Sequence, residues 1–185
     1  MRTRFLALLL LIALPFTAGA NKSEGNNYDD IDGFFSQAAE SESLNVHHFY
    51  ISKAMLTLAR KQGDIVDGVN LEKFIDKIDF IRSADISVLN GTSIKEDKDM
   101  LTKAERLATH TYKEYNYKNL LMTSKNGMRN YLFYKYGEGG LCSILIVSTA
   151  RALDNTREHT SLTHARVLLI GGTFRAEDIP TMINF

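Results

Sequence analysis

His47, His48, His110, His159 and His164, together with the one cysteine, Cys142, are the side chains that could ligate a metal or move a proton near neutral pH. His47 and His48 are adjacent in a stretch that reads as a strand. They therefore point to opposite faces and cannot chelate one ion together. His159 and His164 flank part of a polar stretch. Their spacing is not that of a zinc helix, and Thr160, not a glutamate, follows His159. Zinc would also require a third protein ligand. The set reads as surface or partly buried histidines. A small hydrolase or metal-dependent enzyme using His159, His164 and neighbouring acids is the alternative. Cys142 lies mid-strand, and a single cysteine permits no intramolecular disulfide. It reads as a small core residue. A catalytic thiol would need exposure and an activating neighbour, and nothing in the sequence signals either.

The remaining motifs are equally sparing. Gly137-Glu138-Gly139-Gly140 lacks the Lys-Ser/Thr ending of a phosphate loop and precedes a strand, so it reads as a hairpin turn. There is no Gly-x-Ser-x-Gly elbow. Tyr112, Tyr115, Tyr117, Tyr131, Tyr134 and Tyr136 cluster near Lys118, Arg129 and Lys135. A stacking platform for sugar or nucleic acid is conceivable there, but β-propensity alone favours such a tyrosine-rich sheet. Lys+Arg and Asp+Glu balance at 22 each, so no polybasic signature points to nucleic acid. Asn90-Gly91-Thr92 fits a glycosylation sequon, a pattern that also arises by chance. No residue set specifies a reaction, no catalytic residue is assigned, and no cofactor or metal is implied.

The elements that must position any site centre on Tyr117–Phe174. Asn126-Gly127 sits between two apolar and aromatic runs and signals a type I′ hairpin. That turn pairs Met122 with Tyr131 and Leu120 with Phe133. Closing the next turn between Tyr136 and Leu141 sets Phe133 opposite Ile144 and Tyr131 opposite Ile146. One face then carries Leu120, Met122, Tyr131, Phe133, Cys142, Ile144 and Ile146, a core face by alternation. The other carries Leu121, Leu132, Tyr134, Leu145 and Val147 among polar residues. A sheet packed on one side should be polar on the other. These five residues are therefore the candidate binding surface, unless the chain's own segments cover them.

Other elements follow in order. Ile31–Ser41 reads as a short helix using Phe34, Phe35 and Ala38. Val46–Ile51 reads as a strand, and Ser52–Gln62 as a helix with Met55, Leu58 and Ala59 on one face. Lys77–Leu89 alternates: Ile78, Phe80, Ala84, Ile86 and Val88 point one way, Asp79, Ser83, Asp85 and Ser87 the other. Ile81 and Arg82 break the pattern. Ser93-Ile94-Lys95-Glu96 has a capping-box pattern opening a long helix to about Tyr115, with Met100, Ala104, Leu107, Ala108 and Thr111 in one stripe. Arg151–Thr163 is a long polar connection. Ala176–Ile183 is a short helix limited by Pro180. This order predicts an α+β fold: a single, mostly antiparallel sheet with a C-terminal four-strand meander and helices packed on one face.

Residues 1–20 read as a secretory signal peptide: basic at Arg2 and Arg4, apolar from Phe5 to Phe16, then Ala18-Gly19-Ala20 with cleavage after Ala20. The apolar run is short for a bilayer span, so no transmembrane segment is expected after cleavage. Losing Arg2 and Arg4 leaves a weakly acidic chain. Residues 21–30 read as a flexible mature N-terminus and 31–185 as one α+β domain. The expected location is periplasmic or secreted.

Four stretches, taken together, resemble a known family. They are Ile51-Ser52-Lys53-Ala54-Met55-Leu56, Lys77-Ile78-Asp79-Phe80-Ile81-Arg82, Tyr117–Met122 and Leu168-Leu169-Ile170-Gly171-Gly172. Their order is similar to that of the small exported Bacteroidetes proteins grouped as domain of unknown function 4252. The resemblance implies export and a single domain, and it carries over no catalytic residue. Arg151–Thr163 is longer than the matching turn. The expectation is a non-catalytic binding or interaction module of the cell envelope, its partner an envelope protein or small ligand and not nucleic acid. An accessory role in envelope signalling is a further alternative.

Overall fold

The computed structural model describes residues 31–62, 74–88, 95–137, 142–152 and 161–182. The proposed leader, the mature N-terminus, Ser93 of the capping box, the Gly139-Gly140 turn and His159 lie outside them. Among the described residues the fold is α+β, with one open six-stranded antiparallel sheet. The strands are β1 (Val46–Ser52), β2 (Ile78–Ser87), β3 (Lys118–Lys125), β4 (Met128–Tyr136), β5 (Cys142–Ala152) and β6 (Ser161–Gly172), in the order β1-β2-β6-β5-β4-β3. The longer helices are α1 (Ile31–Glu40), α2 (Lys53–Gln62) and α3 (Lys95–Glu114), and α4 (Ile179–Met182) closes the chain. Asn126 and Gly127 both have positive φ, as the β3–β4 turn requires. Pro180 sits at the second position of α4, in a first turn where its missing N–H costs nothing.

The sheet is apolar on both faces. On the front, Met100, Ala104 and Leu107 of α3 and Phe34 and Phe35 of α1 pack with Phe133, Leu145, Val147 and Val167. Side chains three and four apart share one side of a helix, which is why α3 presents a continuous stripe. On the back, Leu56 of α2, Phe74, Phe174 and Ile179 pack over Ile81, Ile144 and Ile170. The helices thus divide between the two faces; they do not share one. Among the described side chains of α2 Leu56 is buried, whereas Leu58 is 61% exposed. The main contacts of the helix are with β1, β2 and the 3-10 turn Ile75–Lys77, so a short stretch of its surface suffices.

Register differs from the sequence reading by one residue at β4–β5. Phe133 faces Leu145 and Tyr131 faces Val147, while Tyr134 faces Ile144 and Leu132 faces Ile146. A one-residue slip exchanges the faces of a whole strand. Cys142, Ile144 and Ile146 therefore belong to the back, and Leu145 and Val147 to the front. In β3–β4 the pair Met122–Tyr131 forms as read, but a bulge at Leu120 places Asn119 opposite Phe133. Leu120 and Met122 are both exposed. A second bulge, between Ile78 and Phe80, resets the alternation of β2. Ile78 joins Ile81 on the back while Phe80 packs on the front, so Ile81 and Arg82 follow the geometry after all. The strands β5 and β6 also take up Arg151–Ala152 and Ser161–Thr163, both read as part of the polar connection, the rest of which lies outside the described residues.

Polar side chains anchor the joints. Asp97, fully buried in the first turn of α3, accepts hydrogen bonds from the Ser43 hydroxyl at 2.6 Å and the Asn45 amide at 2.7 Å. A carboxylate there also complements the positive end of the helix. At the other end of the molecule, the Arg175 backbone N–H and the Lys77 ammonium both bond Asp178, holding its carboxyl below the usual range.

Candidate functional site

The back face is graded along the strands. Cross-strand register arranges its side chains in rows that run across the sheet. The first row is Ile51, Ile81, Ile170, Ile144, Tyr134 and Lys118. Its middle four residues are buried under Leu56, Phe174 and Ile179. The second row is Phe49, Ser83, Leu168, Ile146, Leu132 and Leu121, and only its edges and centre reach solvent. The third row is His47, Asp85, Arg166, Ser148, Asn130 and Thr123. Every member of that third row is polar, one from each strand, and none is buried. Five inter-strand steps make the row about 24 Å long.

This row contains the most connected polar group on the open face. The Asp85 carboxylate accepts from His164 Nε2 at 2.9 Å through one oxygen. Its other oxygen accepts from Arg166 Nε at 2.7 Å and lies 2.6 Å from a terminal guanidinium nitrogen. Facing a carboxylate, His164 Nε2 carries a proton and donates a hydrogen bond to Asp85. At the far end of the row, the Asn130 amide donates to the Thr123 hydroxyl at 3.3 Å. Arg166 remains 61% exposed, so its guanidinium is held in orientation yet accessible. Asp85 orients His164 much as an acid orients a catalytic base. Among the described residues, however, no hydroxyl or thiol hydrogen-bonds that ring. Nor do three His, Cys, Asp or Glu side chains among them converge closely enough to hold a metal ion.

The five residues singled out in the sequence do not form one surface. Leu121, Leu132 and Tyr134 lie on the back, and Leu145 and Val147 on the front. Leu132, Tyr134, Leu145 and Val147 are buried, and Leu121 is half-buried. The back-face pair is sealed by the C-terminal segment and the front-face pair by α3. Burial, with donation of the Tyr134 hydroxyl to Cys142 Sγ at 3.2 Å, pushes the tyrosine pKa upward. The sequence signal for the polar row was partial: Asp85 stands on the polar side of the alternation read in β2, but Ser148, Asn130 and Thr123 share a side with Ile146, Leu132 and Leu121, and without register nothing joins them.

His48 takes the front instead, half-buried against the Phe35 ring with centroids 6.3 Å apart. Burial, and secondarily the charge of Arg82, lowers its pKa. Arg82 lies within 6 Å of the Phe35, Tyr50 and Phe80 rings and pairs with Asp32 at 2.7 Å, which fastens α1 to the sheet. Among the described residues no helix is long and apolar enough to cross a membrane.

No protein-family model, curated protein or solved structure matches this chain. The resemblance to domain of unknown function 4252 rests on the quoted motifs alone.

Proposed function

We propose that this chain is an exported, non-catalytic binding module of the cell envelope, acting through the open end of the back sheet face. The observation that carries this reading is the third row: six polar side chains, one per strand, in register and none buried. Four of its members, His47, Ser148, Asn130 and Thr123, can both donate and accept, and the Asp85 charge offsets that of Arg166. A charge-balanced row rich in hydrogen-bonding groups suits a neutral, hydroxyl-bearing chain such as an envelope glycan. It does not suit a polyanion, whose capture depends on excess cationic charge. Phe49, 43% exposed beside the row, offers an apolar surface for the carbon face of a sugar ring. Export and the envelope location rest on the Arg2–Ala20 leader pattern.

The test is amide and side-chain NMR of the mature chain titrated with neutral glycan oligomers of graded length. Shifts confined to His47, Ser148, Asn130 and Arg166, reduced at least tenfold in affinity by Arg166→Ala with Asn130→Ala, support the reading. Shifts that map to the front face, or binding unchanged in the double variant, overturn it.

A further inference from the structure

The two edges of the sheet are unlike. β1 is flanked by α1 and α2. β3, at the other edge, is solvent-exposed at every residue but Leu121. The β3–β4 hairpin holds four exposed large apolar side chains, Leu120, Met122, Met128 and Tyr136. From Tyr117 to Tyr136 the chain carries Lys118, Lys125, Arg129 and Lys135 and no acidic residue. An edge strand presents backbone donors and acceptors to any chain that can lie beside it.

The charges select what can lie there. Pairing β3 antiparallel with a second copy along its full length would set Lys118 opposite Lys125 twice, and like charges directly opposite destabilise such a pair. Beyond the bulge, the run Leu121–Lys125 keeps regular register with β4 and so offers an unbroken edge. Cross-strand pairing to Tyr134 and Met128 places Lys118 and Lys125 on the back side of this edge, while Met122, opposite Tyr131, lies on the front. An incoming strand that alternates carboxylates with apolar residues would match both sides at once. The apolar residues flank the edge on both faces, an arrangement that fits a strand in the sheet plane better than a flat lipid surface.

We propose that β3 is the docking edge for an extended segment of a partner protein that alternates acidic and apolar residues and adds as a seventh strand. Main-chain hydrogen bonds supply the pairing, and Lys118, Lys125 and Met122 supply the choice of partner. This proposal is independent of the ligand on the back face.

The probes are two ten-residue peptides, one alternating glutamate with valine and one alternating lysine with valine. A third is the glutamate peptide N-methylated at every second residue, which keeps its charge but cannot pair as a strand. Vesicles containing phosphatidylglycerol serve as a fourth. Binding and amide hydrogen exchange of residues 119–125 are measured on the mature chain. The glutamate peptide should bind and slow exchange in this segment. Affinity should fall at least tenfold with Lys118→Glu/Lys125→Glu, whose exposed positions leave circular dichroism unchanged. The N-methylated and lysine peptides should fail. Equal binding of either of those, binding of vesicles in place of the glutamate peptide, or concentration-dependent protection of residues 119–125 without any peptide would overturn the proposal.

Discussion

The ring of Phe80 rests on Gly171: a β-carbon at that glycine would come within 2.3 Å of the ring. Its neighbour Gly172 is tighter and meets backbone, with the Lys77 carbonyl oxygen 2.0 Å from where a β-carbon would stand. Both contacts sit at the bulge that resets β2. A ring can turn aside; a carbonyl fixed between two strands cannot. Gly171→Ala should cost about 1–3 kcal/mol, as overpacked sites do. Gly172→Ala should cost more than about 3 kcal/mol, since backbone must move. Pairing Gly171→Ala with Phe80→Leu should recover part of the loss. Urea unfolding of the three variants and the double mutant reads the coupling.

The two-sided core predicts that adjacent residues of one strand matter equally. Ile144 faces the back and Leu145 the front, and both are fully buried. Ile144→Ala and Leu145→Ala should each cost about 2–5 kcal/mol. A sheet packed on one side only would give one large and one small value. By the same reasoning Tyr134→Asp, which buries a carboxylate among Leu132, Ile144 and Phe174, should abolish the cooperative urea transition. A stable, folded Tyr134→Asp protein would contradict the packing described.

His48 makes stability pH-dependent. Its pKa is lowered in the folded chain by burial and by Arg82, so the native state resists protonation that the unfolded chain accepts near pH 6.5. Above that value the ring is neutral in both states and full stability is present. As pH falls below it, the unfolded state gains protons and stability declines until the depressed native pKa is passed. The groups facing the ring are Arg82 of β2 and Phe35 of α1. Urea midpoints of the native chain and His48→Gln, compared at pH 7.5 and pH 5, should show the variant losing less on acidification. Equal losses would remove His48 as the source.

Local signals were legible where one stretch of chain decides the outcome. Asn126-Gly127 specified its turn, and Phe34, Phe35 and Ala38 marked the buried side of α1. Asp85 stood on the side of β2 that reaches water, whereas Ser83, read on the same side, is buried. What the residues could not specify was decided by partners distant in sequence. The β4–β5 register differs by one residue from the one read, and that shift moved Leu145 and Val147 to the opposite face. The bulge in β2 depends on Gly172, more than ninety positions away, giving way to the Lys77 carbonyl. The polar row needed all five pairings before Asp85 and Thr123 could be placed on one line. Leu58 misled because helical periodicity marks an apolar side without saying how much of it the sheet can reach.

The graded back face has a consequence for how this molecule can change. Its lower end, the isoleucine row under Leu56 and Phe174, seals the interior, while the upper end holds side chains whose replacement leaves that seal intact. Under the proposed function, recognition and folding fall on separate thirds of the same strands. Substitutions at His47, Ser148 or Asn130 can therefore accumulate by drift alone, without first acquiring compensating stability elsewhere.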